Sequence, residues 1–241
     1  MRLKFLFPIL CIVLLFSFEI DGQVKKTKLA KKGQTTNEKE LVELKRQILA
    51  QIEKENEENK PSKVFVFVGE KVEVKEFQLE LTLGEPPFNH AYKAKYKIIQ
   101  NVYGDYQGEL IEFEAFDHYG YPAFAEFKNV LLFVSEYKGK LYHEKYQYFD
   151  VYQTKNGKWA GCGDPYQFEE FHRKPVKTFN LEFNEPVIYD LSRFNAKQRK
   201  EFYPLPFFRI EGNKAVCLRG AYIDELFQVK RNGVLKARKV F

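Results

Sequence analysis

The chain has 241 residues and a net charge of +6, and the charge is unevenly spread. Residues 24–32 hold five lysines and residues 228–241 five lysines and arginines, with no acid in either. Ten positive charges therefore sit near the ends and the rest is net −4. The overall basicity therefore gives no sign of a basic groove in the body, and a net acidic body makes nucleic acid a poor ligand. The length suits one sizeable domain, or one domain with an extension.

Residues 1–22 come first in chain order. Arg2 and Lys4 make a short positive head, and 5–18 is an almost unbroken apolar run. That is the length of a signal h-region and short of the ~20 residues needed to cross a bilayer. Glu19, Asp21 and Gly22 end it. The expectation is a signal peptide cleaved near Gly22, and a secreted or periplasmic protein. An uncleaved anchor is the alternative, with the short run and Pro8 against it. Residues 23–36 read as a flexible basic tether. Over 37–60, Leu41, Leu44, Ile48 and Ile52 form one apolar stripe, which predicts an amphipathic helix. Asn37 with Glu40 resembles a capping pair, and Pro61 ends the helix.

Residues 64–74 begin the strand-like part. Val64, Val66 and Val68 alternate with Phe65 and Phe67, so both faces of the first half are expected to be buried, with Gly69 breaking the strand or forming a bulge. Gly84, Glu85, Pro86 and Pro87 mark a loop. In 91–103, Tyr92, Ala94, Tyr96 and Ile98 alternate with Lys93, Lys95 and Lys97, which predicts a strand with one wet side. A turn at Gly104-Asp105 leads to 109–117, where Ile111, Phe113 and Ala115 share one face and Glu112 and Glu114 the other. After an aromatic loop at 118–124, residues 129–135 form a central strand without alternation, followed by a turn at Lys138-Gly139-Lys140. In 141–151, Tyr142, Tyr146 and Tyr148 fall on one parity and His143, Lys145 and Phe149 on the other. Asn156-Gly157 predicts a hairpin that ends near Trp159. These runs give an antiparallel β fold, barrel or sandwich.

Further on, 178–190 read as an edge strand and 192–202 as a short helix. Residues 207–218 read as a hairpin about Gly212-Asn213, and 226–241 as a second hairpin about Asn232-Gly233. Cys162 and Cys217 remain after signal cleavage, and an exported chain meets oxidising conditions, so the pair is expected to form a disulfide. Two buried free thiols are the alternative.

FVFVGEKVEV, AYKAKYKIIQNVYGD, ELIEFEAFD and NVLLFVSEYKGKLY, in that order, resemble the netrin-like modules of tissue inhibitors of metalloproteinases and complement C-terminal domains. The resemblance covers about residues 63–162 and implies a mainly β protein, an antiparallel OB-like five-stranded barrel with a Greek-key path. On this reading 61–162 is the barrel and 163–241 a β-rich extension packed on it. The inhibitors of that family act through a cysteine at the mature N-terminus. Here a lysine-rich tether stands there and no cysteine of the mature chain precedes Cys162, so no inhibitory residue carries over.

The catalytic motifs are missing. Gly161-Cys162-Gly163 lacks what a dinucleotide site needs, and no Gly-x-Ser-x-Gly elbow occurs. His143-Glu144 opens like a zinc-protease helix, but Gln147 stands at the place of the second histidine. His90, His118, His143 and His172 are scattered. Cys162 with His172 as nucleophile and base competes with the disulfide. Glu112, Glu114 and Asp117 are the carboxylates a glycan hydrolase would use, or simply the polar face of a strand. Tyr119, Tyr121, Tyr146, Tyr148 and Trp159 are the candidate ligand-binding residues, since exposed aromatics on such barrels stack on oligosaccharides or nucleotides. The alternative is that they cover a sheet face. The expectation is a non-enzymatic exported binding or assembly module without cofactor or metal, for a protein or glycan ligand. The basic ends offer weak contact to an anionic membrane surface. The alternative is a glycan- or peptide-acting hydrolase.

Overall fold

A computed structural model of the chain describes residues 40–51, 60–78, 90–169 and 175–241. The signal segment, the tether, the Asn37 cap, the 84–87 loop and His172 lie outside the described residues. The chain divides into two compact units, 1–52 and 53–241. In the first, residues 40–51 form helix α1, and Leu41, Leu44 and Ile48 of the predicted stripe are exposed on it.

The second unit opens with the predicted barrel. Its strands are β1 (Lys63–Phe77), β2 (His90–Tyr103), β3 (Leu110–Asp117), β4 (Asn129–Tyr137) and β5 (Lys140–Asp150), closed in the order β1-β2-β3-β5-β4. All neighbours are antiparallel except β3 and β5, which meet in parallel at Glu114 and Tyr142. A 3-10 turn (Ala123–Glu126) plugs one end with Phe124. Period-two alternation explains the interior: Phe65, Phe67, Tyr92, Ala94, Tyr96, Ile111 and Phe113 all point inward.

The first half of β1, Val64 to Gly69, is buried on both faces, and the second partner is the C-terminal region. Val64, Val66 and Val68 pack outward with Leu131 and Phe133 of β4 against Ile223, Leu226, Phe227 and Leu235. These four belong to helices α3 (Ile223–Asn232) and α4 (Val234–Ala237). The expected hairpin about Asn232-Gly233 is therefore corrected to two helices. Ile223, Leu226, Phe227 and Lys230 recur at helical spacing and are buried on one side, with Asp224 and Glu225 in the first turn and Lys230 and Arg231 in the last. Gly233 ends α3 rather than turning a hairpin.

Gly69 does not break β1. The strand shifts register against β2 between Val68 and Gly69 and runs on to Phe77. A Cβ at Gly69 would lie 2.9 Å from the Phe67 ring and 3.1 Å from the fully buried Tyr96 ring, so this crossing needs glycine.

The barrel closes at Asp150, not at Cys162. Strands β6 (Tyr152–Gln153) and β7 (Trp159–Cys162), joined through the predicted Asn156-Gly157 turn, pair instead with later strands. The predicted edge strand at 178–190 is two short strands, β8 (Phe179–Asn180) and β9 (Ile188–Asp190), which join different sheets. One sheet runs β6-β7-β12-β8, with β12 at Arg219–Tyr222. The other runs β10-β11-β9, with β10 (Phe208–Glu211) and β11 (Lys214–Cys217) forming the hairpin expected about Gly212. The short helix is present as α2 (Ala196–Phe202), opened by a capping box between Asn195 and Gln198.

Cys162 and Cys217 are bridged, with Cα atoms 6.1 Å apart. The bridge ties the end of β7 to the end of β11 and contributes about 4 kcal/mol by restricting the unfolded chain. It also removes Cys162 as a nucleophile.

One core group is out of balance. The Tyr96 hydroxyl is buried with no hydrogen-bond partner among the described residues. A buried hydroxyl without a partner costs about 1–3 kcal/mol, so Tyr96→Phe is expected to stabilise the protein by about 1 kcal/mol. Thermal unfolding checks this, since a rise of a few degrees in Tm follows and a fall would mean the hydroxyl is satisfied.

Candidate binding face

Register places three rows of side chains on the outer surface of β1, β2 and β3. Glu73, Lys95 and Glu112 form one row, Lys75, Lys93 and Glu114 the next, and Phe77, Ala91 and Phe116 the third. Tyr142 of β5 extends the middle row beyond Glu114. Phe116 stacks on Tyr142 at 6.1 Å between ring centroids, and Tyr137 stands 6.2 Å beyond it. The Lys93 ammonium lies 5.3 Å from the centre of the Phe77 ring. The face thus passes from an ionic ladder into an aromatic band.

A cavity of about 530 Å³ opens on this face, and its walls include Glu73, Lys75, Phe77, Lys93, Glu114 and Lys140. Its charges are partly spoken for. Lys95 Nζ is 2.5 Å from Glu112 Oε1, and Lys75 Nζ is 2.7 Å from Glu73 Oε1. The hydrogen bond from Lys95 holds the Glu112 carboxyl below its usual range, and Glu112 in turn raises Lys95. A general acid needs the opposite shift, so Glu112 is poorly placed for proton donation. Asp117 is buried and accepts the Tyr119 N–H at 2.8 Å.

The five predicted aromatic residues divide. Tyr119 is 86% exposed, and its ring lies 5.9 Å from that of Tyr146. Tyr121, two residues further along the same loop, is exposed and lies edge-on to Tyr92 at 5.8 Å. Tyr148 is half-buried against Phe124 and Phe127, and Trp159 is half-buried beside the cluster under α3 and α4. Tyr119 and Tyr146 therefore come together at the surface, Tyr121 is exposed on the same loop as Tyr119, and the other two serve packing.

The expected parity of 141–151 fails for a local reason. Leu132 faces Tyr148 but Val134 faces His143, so four residues of β5, Glu144 to Gln147, bulge opposite Phe133. His143 and Tyr148, predicted on opposite faces, both reach the interior. His143 packs 4.5 Å from the Phe124 ring, and its Nε2 lies 2.9 Å from the Gln147 carbonyl oxygen. Burial takes its pKa down to about 4.

Phe77, Phe116, Tyr137 and Tyr142 were missed as a group. The available signal was that Phe116 shares the parity of Glu112 and Glu114. The predicted C-terminal basic cluster is largely structural. Lys230 pairs with Glu169, Arg231 lies 5.3–5.7 Å from the rings of Tyr103, Phe227 and Phe241, and Arg238 donates to the Lys145 carbonyl at 3.1 Å. Among the described residues no group of three or more His, Cys, Asp or Glu is arranged to hold a metal, and no helix is long and apolar enough to cross a membrane. No family model, curated protein or solved structure matches the chain.

Proposed function

We propose that the protein is an exported, non-enzymatic binding module whose ligand lies on the β2–β3 face of the barrel. The single observation behind this reading is the 530 Å³ cavity at that face, lined by lysines and glutamates with Phe77. OB-type barrels use the face of strands two and three for oligomeric ligands. The near balance of charge suits a chain carrying both signs, such as an extended peptide of a protein partner, and disfavours a polyanion. Export is supported by the apolar leader and the disulfide.

The hydrolase reading has less support. Glu112 is tied to Lys95, and its shifted protonation favours the anion. The test is a panel of mixed-charge peptides and glycans presented to the mature chain. Peptide ligands are expected to bind and to lose about tenfold or more in Lys93→Glu/Lys140→Glu, since central interface charges act on that scale. Turnover of any panel member that disappears in Glu112→Gln or Glu114→Gln would overturn the reading.

A further inference from the structure

We propose that the β3–β4 loop and the β5 bulge form a second seat, next to the β2–β3 face and sharing only Phe116 with it, that takes a neutral sugar. The platform is Tyr119 against Tyr146, with the His118 ring 5.4 Å from Tyr119. Beside Tyr146 lies a hollow of about 20 Å³ whose walls include Asp117, Pro122, Phe124, His143 and Tyr148. That volume holds one water-sized group. A sugar hydroxyl fits it, and a proline ring does not.

The platform is held in place before any ligand arrives. Tyr146 sits at φ +66°, a left-handed conformation that costs a bulky residue about 1–3 kcal/mol. The surroundings fix it there. Its hydroxyl accepts the His118 N–H at 3.3 Å, Gln147 Nε2 donates to the Lys145 carbonyl at 3.1 Å, and Arg238 donates to the same carbonyl. On the loop side, Asp117 takes the Tyr119 N–H. Strain retained under an exposed ring is a mark of a surface shaped for contact, and such pre-organisation lowers the cost of binding.

The chemistry selects the ligand. Tyrosine faces stack on the apolar C–H side of a sugar ring while their hydroxyls stay wet. The Asp117 carboxylate, already fixed by one donor, has lone pairs left to accept a hydroxyl in the hollow. A carboxylate there repels an acidic sugar, which leaves neutral ones.

Calorimetry of the full mature chain with cellohexaose, xylohexaose and chitohexaose tests the seat. At least one is expected to bind with a millimolar or tighter Kd. Tyr119→Ala should weaken it about tenfold with Tm unchanged, because the ring is exposed, and Tyr119→Phe should keep it within about twofold. Lys93→Glu/Lys140→Glu should leave sugar affinity as it was, so this seat and the β2–β3 reading fail independently. No binding of any of the three, equal binding by Tyr119→Ala, or Tyr119-dependent binding of decaproline in place of the sugars would overturn the proposal.

Discussion

Glu169→Ala is expected to cost about 3–5 kcal/mol. Glu169 and Lys230 form an ion pair whose side chains are only 5% and 9% exposed, and the Lys230 ammonium also lies 4.8 Å from the centre of the Phe149 ring. Lys230 is on the buried side of α3, the helix that covers β1 and β4. Removing the carboxylate takes a nearly buried partner away from the Lys230 ammonium. Replacing both partners, as Glu169→Leu/Lys230→Met, should cost much less than the single change, because no charge is then stranded. Denaturant unfolding of the two variants measures the difference. Equal losses would mean the pair contributes packing alone.

Acidification should weaken the fold through His143. Burial among Phe113, Phe124 and the β5 bulge disfavours the imidazolium and takes its pKa from 6.5 to about 4, against the hydrogen bond to the Gln147 carbonyl; Arg238 and Lys230 act in the same direction as burial. With the folded value below the unfolded one, the stability this group contributes is complete above pH 6.5. It is lost as pH falls through 4. The shift is worth about 3 kcal/mol. Asp150 acts in the other direction. Burial raises its pKa while the hydroxyls of Tyr189 and Tyr152 donate to it and pull it down, so its contribution is present in acid and lost as pH rises through its folded value. The His143 effect is therefore read as a difference. Unfolding free energies of the parent and His143→Leu, compared from pH 7 to 4, should converge toward the acid end. Parallel curves would mean that His143 binds protons alike in the folded and unfolded states.

Much of the barrel could be read from residue order. Alternation in β2 and β3 and the two-sided hydrophobicity of β1 led to the five strands, because one buried face per strand leaves little freedom of register. The C-terminal helices were harder. Asn232-Gly233 is a strong turn signal at short range, yet Gly233 serves as a helix end, and only the spacing of Ile223, Leu226, Phe227 and Lys230 distinguishes the two. Strands of two to four residues, such as β8 and β9, carry too little pattern to separate from loops. For the binding surfaces the obstacle was the bulge. Four residues, Glu144 to Gln147, stand opposite the single Phe133, and this excess of three resets the parity of β5, so Tyr146 and Tyr148, which read as neighbours on one face, go outward and inward. Phe77, Phe116 and Tyr142 come from three strands and meet only once the barrel closes.

Hydrogen exchange of the protein with and without a peptide drawn from the mixed-charge panel tests the central claim most directly. Protection is expected in residues 91–95, 112–116 and 140–142, the strands that carry the ionic ladder and the Phe116–Tyr142 stack. Protection confined to the C-terminal sheets between Tyr152 and Tyr222, with the β2–β3 face exchanging as before, would contradict it.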